Sequence, residues 1–117
     1  MIVYVLGGKW SKQFIKLCES LEVCPGMTKE KLLEAGFTNY HKPSFCWLKR
    51  INHKTKRETK LFPVTLNVVI SAETLQLKEF CLLDECFGQP SACNEFQFLQ
   101  IEQYINELKN KNILRIK

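Results

Sequence analysis

The chain has 117 residues, of which 45% are hydrophobic and 25% are charged. This composition argues against disorder, and the length suits a single domain, residues 1–117, that buries its own core. No apolar run reaches the roughly 18 residues that cross a bilayer, and residues 2–6 lack the basic flank of a signal peptide. We therefore expect a cytoplasmic protein with no membrane partner.

The six cysteines contain no C-x-x-C pair, and they stand at positions 18, 24, 46, 81, 86 and 93. Without a secretory signal, a disulfide framework is not expected. Several of these positions fall on the apolar side of a predicted helix or strand. The interpretation is therefore that they are reduced thiols packed in a core, where free cysteine is commonly found.

The first two predicted elements are a strand and a helix. Residues 2–6 (IVYVL) form a continuous apolar run, which predicts a strand buried on both faces and central in its sheet. Apolar side chains at helical spacing follow, at Trp10, Phe14, Leu17, Cys18 and Leu21. Gly7 and Gly8 lie between the strand and the helix and match neither G-x-G-x-x-G nor G-x-x-x-x-G-K-[ST], the motifs of phosphate-binding loops. A tight turn is therefore favoured over a phosphate site.

A short second helix is predicted between Thr28 and Gly36. Thr28 is suited to capping its start, and Gly36 followed by Phe37 is typical of a Schellman end. The helix is only about two turns long and its charges balance. Its interpretation as a DNA-reading helix is therefore disfavoured.

From Phe45 onwards the side chains alternate with a period of two residues, which is typical of strands. The pattern predicts a strand, a loop and a second strand that contains Val64 and Ile70. A turn at residues 71–74 and a third strand that starts near Leu75 complete an antiparallel meander.

The last helix begins at Asn94, with Gln97 as its capping-box partner. Residues 113–116 are expected to return as a short strand beside the N-terminal one. The predicted fold class is α+β: an antiparallel β-meander with a protruding basic hairpin, packed by two longer α-helices and one short one.

The positive net charge of the protein is concentrated in residues 49–60 (KRINHKTKRETK). They contain six basic residues against Glu58 alone, a local charge of +5 that equals the formal net charge of the whole chain. A β-ribbon with such a tip can follow a phosphate backbone, and nearby Trp47, His53, Tyr40 and Phe45 suggest stacking, which favours RNA. The alternative is a solvated hairpin whose charges keep a sheet edge unpaired.

The residues predicted to bind nucleic acid or a partner are Trp47, Lys49, Arg50, His53, Lys54, Lys56, Arg57 and Lys60.

Metal binding and catalysis receive little support. A ligand set drawn from His41, His53, Cys86 and Cys93 lacks the short spacing of structural zinc sites. The adjacent Asp84 and Glu85 point to opposite faces of an extended chain and are expected in a turn. A Cys46–histidine pair stays open as an alternative. We expect a protein that is not an enzyme, with no cofactor, no metal and no catalytic residue.

Three segments carry a resemblance to a known group: residues 83–90 (LDECFGQP), 28–37 (TKEKLLEAGF) and 65–70 (TLNVVI). Together they resemble small uncharacterised proteins encoded by bacteriophages and integrative elements of Gram-positive bacteria. The resemblance implies a mobile-element accessory protein in the host bacterial cytoplasm that acts by binding.

The sequence thus predicts a binding protein that engages nucleic acid, RNA in preference, or a host ribonucleoprotein. One version is an anti-CRISPR inhibitor of a nucleic-acid-guided defence complex, since a basic protein contacts the nucleic acid itself. The alternatives are a protein-interaction module and, last, a small cysteine-dependent enzyme or nuclease.

Overall fold

The computed structural model describes residues 1–40, 43–51, 64–85 and 87–117, which form three helices and six strands. In chain order these are β1 (Ile2–Tyr4), α1 (Lys9–Glu19), β2 (Leu21–Val23), α2 (Lys29–Glu34), β3 (Ser44–Ile51), β4 (Val64–Ser71), β5 (Leu77–Asp84), α3 (Glu95–Asn110) and β6 (Leu114–Ile116). The α+β class is confirmed, and so are two longer helices with a short one between them.

The main sheet has four strands in the order β1-β5-β4-β3. β3, β4 and β5 are antiparallel neighbours, which confirms the predicted meander. β1 lies parallel to β5, and β2 pairs with β6 in a separate two-stranded sheet. The register of β3 and β4 places Ile51 opposite Val64, so the two residues that flank positions 52–63 are adjacent.

Two strand predictions are wrong. β1 is an edge strand and not a central one, with Ile2 52% and Tyr4 40% exposed, because only Val3 of its three residues packs against the core. β6 pairs with β2 and not with the N-terminal strand. The prediction missed β2 because Leu21 matched the helical spacing, whereas α1 ends at Glu19 and Leu21 is buried from a strand.

The core lies on one face of the main sheet. Alternate residues of the meander supply it, namely Phe45, Trp47, Ile51, Val64, Leu66, Val68, Ile70, Phe80 and Leu82. The helices cover this face with Phe14, Leu32, Ile101, Ile105 and Leu108. Phe96 and Leu99 of α3 lie outside this core and are exposed.

The predicted helix ends are present. Thr28 Oγ1 accepts a hydrogen bond from the Lys31 amide at 3.2 Å. At the other end of α2, Gly36 has φ 103°, and the Phe37 amide donates to the Leu32 carbonyl at 3.0 Å, which is the Schellman geometry. Asn94 and Gln97 form the expected reciprocal capping box of α3.

Five cysteines are described, and all are free thiols. Cys18, Cys81 and Cys93 are buried, whereas Cys24 and Cys46 are half-buried. Burial raises the pKa of Cys81 to about 12 and that of Cys93 to about 11. Within the part of the chain that the structure describes, no helix is long and apolar enough to span a membrane.

Candidate nucleic-acid interface

The candidate interface starts at the end of the β3–β4 pair where Ile51 lies opposite Val64. Lys49 and Arg50 stand just before the end of β3, where Ile51 pairs with Val64. The other predicted basic residues and His53 belong to residues 52–63, which lie outside the described residues. The paired strand ends therefore fix where the basic segment leaves the sheet and where it returns.

Arg50 is held in a bidentate ion pair. Its Nε donates to Glu85 Oε1 at 3.0 Å and its Nη2 donates to Glu85 Oε2 at 2.5 Å. Thr65, the residue opposite Arg50 on β4, donates its hydroxyl to Glu85 Oε1. The hydrogen bonds from Arg50 and Thr65 lower the pKa of Glu85 to about 2. Any phosphate that contacts Arg50 must therefore compete with a carboxylate already in place.

Tyr104 of α3 anchors the same strand end. Its hydroxyl donates to the Arg50 carbonyl at 2.9 Å. Its ring stands edge-on to Trp47, with 6.0 Å between the ring centroids. Tyr104 thus attaches the end of β3, beside the Arg50–Glu85 ion pair, to helix α3.

Trp47 cannot act as the predicted stacking surface. The residue is 1% exposed, and its indole is stacked on Phe37 at 6.2 Å. Phe45 is equally buried, because alternation along β3 directs both rings to the core face. Lys49 lies on the same face of β3 as these two rings, and its Nζ lies 4.9 Å from the centroid of the Trp47 ring.

Tyr40 is 85% exposed but stands towards the other end of β3. It follows Thr38, which pairs with Cys46 through two backbone hydrogen bonds of 2.8 and 2.9 Å. Trp47, Phe45 and Tyr40 therefore do not form a stacking surface beside the basic segment. The preference for RNA, which relied on stacking, loses that support, and phosphate contact is the part of the hypothesis that stays.

Of the residues considered for metal binding and catalysis, the structure describes Asp84, Glu85, Cys46 and Cys93. Asp84 accepts a hydrogen bond from the Phe87 amide at 3.0 Å, which confirms its turn role. Burial, followed by the charge of Glu79, raises the pKa of the Cys46 thiol. His41, His53 and Cys86 are not among the described residues. Across residues 1–40, 43–51, 64–85 and 87–117, no three His, Cys, Asp or Glu side chains cluster as metal ligands would.

Glu85, Thr65 and Tyr104 are the site residues that sequence reasoning missed. Arg50 and Glu85 are far apart along the chain, and Tyr104 lies on a different element. No local motif signals these contacts. Only the strand register, which pairs Arg50 with Thr65, brings the ion pair together.

Comparison with known proteins yields a fold and no more. No protein-family model matches the chain, and no curated protein matches it. The structure is similar to the crystal structure of a DUF1831 family protein from Lactobacillus plantarum, with a TM-score of 0.59 and 13% sequence identity. The match covers 83% of this chain and 86% of that one. At this level of identity, the similarity shows a shared fold.

Proposed function

We propose that the protein binds nucleic acid, free or within a ribonucleoprotein, through the basic segment between β3 and β4, and that it acts without catalysis. One observation carries the proposal: the whole formal net charge is concentrated in residues 49–60, at one end of the β3–β4 pair. Outside this segment the chain has eleven basic and eleven acidic residues, so its field is that of a neutral body with one positive element.

The binding mode is contact with phosphates and not reading of bases. Arg50 already has Glu85 as its partner, so the first contacts are assigned to Lys49 and to the basic residues at positions 54, 56, 57 and 60. Each lysine or arginine that neutralises a phosphate releases counterions and gives the affinity a strong dependence on salt. Trp47 is removed from the proposed contact surface because it belongs to the core.

The biological setting that fits this chemistry is a bacteriophage or mobile-element accessory protein in a host bacterium. A defence complex of the CRISPR type displays guide RNA along a phosphate-binding channel, and a basic segment would contact that RNA directly. A protein that mimicked DNA would instead need an excess of acidic residues. Mass spectrometry and RNA sequencing of material that co-purifies with the tagged protein test this setting.

The direct test is a gel-shift panel over single- and double-stranded RNA and DNA at two salt concentrations. A variant with Lys54, Lys56, Arg57 and Lys60 replaced by serine is expected to lose binding. A matched control replaces Lys12, Lys16, Lys29 and Lys31, all exposed on α1 and α2, and removes the same charge. Equal loss in both variants, or no binding by the wild type, contradicts the proposal.

A protein-interaction module is the second candidate. Two observations favour it: the Arg50–Glu85 pair neutralises one predicted contact, and the face of the main sheet opposite the core displays apolar side chains. The same gel-shift panel separates the candidates, because an interaction module shifts no nucleic acid at either salt concentration.

A further inference from the structure

The turn that follows β5 lies at the same end of the main sheet as the basic segment. The strand register places Asp84, the last residue of β5, beside Val64, which lies opposite Ile51 on its other side. The chain after Asp84 therefore leaves the sheet at the end where the basic segment leaves and returns. The Arg50–Glu85 ion pair joins the two segments directly.

Hydrogen bonds hold the backbone of this turn in one shape. The Phe87 amide donates to Asp84 Oδ1 at 3.0 Å, and the Gly88 amide donates to the Asp84 carbonyl at 2.8 Å. The Asp84 amide donates to the Gln89 carbonyl at 2.9 Å. Gly88 has φ 66°, a conformation that glycine adopts without steric cost. The turn itself therefore fixes the position of Phe87 relative to the end of the sheet.

Phe87 presents its ring to solvent at this position. The residue is 71% exposed, whereas Trp47 and Phe45 are each 1% exposed. Exposure alone does not distinguish Phe87, because Tyr40 is 85% exposed. The distinguishing feature is its place, since it follows Glu85 by two residues and the Cα atoms of the two are at most ~7 Å apart, the span of two extended residues. Phe87 thus offers beside the basic segment the ring that Trp47, which is buried in the core, cannot supply.

An exposed ring beside a cluster of basic residues is suited to a single-stranded nucleic acid. Proteins that bind single strands combine a positive surface that follows the phosphates with aromatic side chains on which bases stack. A duplex stacks its bases on one another and presents only their edges in its grooves. An unpaired base therefore has a free face for Phe87, and a paired base has none. Such stacking tolerates any base, because every base has a π-face.

We propose that Phe87 stacks on an unpaired base of a single-stranded nucleic acid whose phosphates contact the basic segment. The inference rests on the proposed function, since the phosphate contacts of residues 49–60 bring the strand to the ring. The ring strengthens the binding of single strands of RNA and of DNA, and it contributes nothing to the binding of a duplex.

Fluorescence anisotropy with three labelled probes tests the proposal: oligo(dT), oligo(U) and a DNA duplex of the same length. Phe87→Ala should weaken the binding of both single strands at least about fivefold, as loss of one stacked base predicts, and should leave duplex binding unchanged. Phe87→Trp keeps a flat ring and should bind single strands at least as tightly as the wild type. Tyr40→Ala is the matched control, because it removes another highly exposed ring that lies towards the other end of β3, and it should bind like the wild type.

The outcomes separate this inference from the proposed function. A wild type that binds none of the three probes contradicts the proposed function, and the inference fails with it. A wild type that binds, together with a Phe87→Ala variant that binds single strands equally well, overturns the inference alone and assigns the ring to another kind of partner. Equal weakening for single strands and duplex also overturns the inference, and so does equal weakening by Tyr40→Ala.

A second test uses the wild-type protein and does not depend on the folding of a variant. An oligo(dT) probe that carries one 5-iodouracil is irradiated in complex with the protein, and the crosslinked residue is identified by mass spectrometry. The crosslink is expected at Phe87, because the iodinated base reacts with an aromatic ring on which it stacks. Crosslinks confined to other residues overturn the proposal.

Discussion

Glu85→Gln is the substitution that most directly tests the chemistry of the basic segment. Glu85 accepts both hydrogen bonds of the Arg50 fork and a third from Thr65. A neutral amide removes the ion pair and cannot accept the fork in the same way. Arg50 then becomes available to a phosphate, so the number of basic residues that can contact nucleic acid rises by one.

The expected magnitude follows from the count of phosphate contacts. If Arg50 is excluded, five basic residues predict a slope of about −4.5 in log affinity against log salt for duplex DNA, and six predict about −5.4. One added exposed charge contact of about 1 kcal/mol raises the affinity about fivefold at low salt. Fluorescence anisotropy of a labelled duplex between ~50 and ~200 mM salt measures both quantities.

Glu30→Gln is the matched control, because it removes the same charge from exposed α2 and leaves the Arg50 pair intact. The slope of this control should equal that of the wild type. If Glu85→Gln and Glu30→Gln give the same slope and the same affinity, Arg50 gains no phosphate contact and the reasoning is refuted.

Three further predictions concern stability. Ser11→Ala should lower the free energy of unfolding by about 1–3 kcal/mol in urea titrations, because the buried Cys93 amide loses its 3.1 Å acceptor; a loss below ~0.5 kcal/mol contradicts this. Gly36→Ala should cost about 1–2 kcal/mol through its φ of 103°, and an unchanged thermal midpoint would show that the helix end adapts. The pKa of Glu85 is lowered from 4.5 to about 2, so its stabilising contribution is present above pH ~4.5 and lost as the pH falls towards 2. The urea midpoints of the wild type and Glu85→Gln should therefore differ at pH ~6 and converge near pH ~2, and a constant difference would exclude the ion pair as its source.

Local structure could be predicted from the sequence where a single side-chain pattern decides the outcome. The period of two in β3 and β4 decides which side chains face the core, and Phe45 and Val68 are both buried. Thr28, Gly36 and Asn94 act on backbone groups within their own turn, so their roles as helix caps and ends follow from residue type.

Strand order could not be predicted, because it depends on contacts between distant segments. The apolar residues 2–6 are typical of a central strand, yet β1 has a neighbour only on its β5 side. β2 and β6 are three residues each, too short for a periodic signal, and each is stabilised by the other. For the same reason, the pairing of Arg50 with Glu85 has no local signature.

The hydrogen bonds along the outer edge of β3 have a consequence for how the chain avoids aggregation. An eight-residue edge strand exposes backbone groups that can template the strand of another molecule, which is how fibrils grow. Here the backbone of Thr38 hydrogen-bonds with both the amide and the carbonyl of Cys46, and the hydroxyl of Tyr104 donates to the carbonyl of Arg50. The stretch left between them is centred on Leu48 and is too short to seed a ladder of strands. The outer edge of β3 is therefore protected against pairing with the strand of another copy.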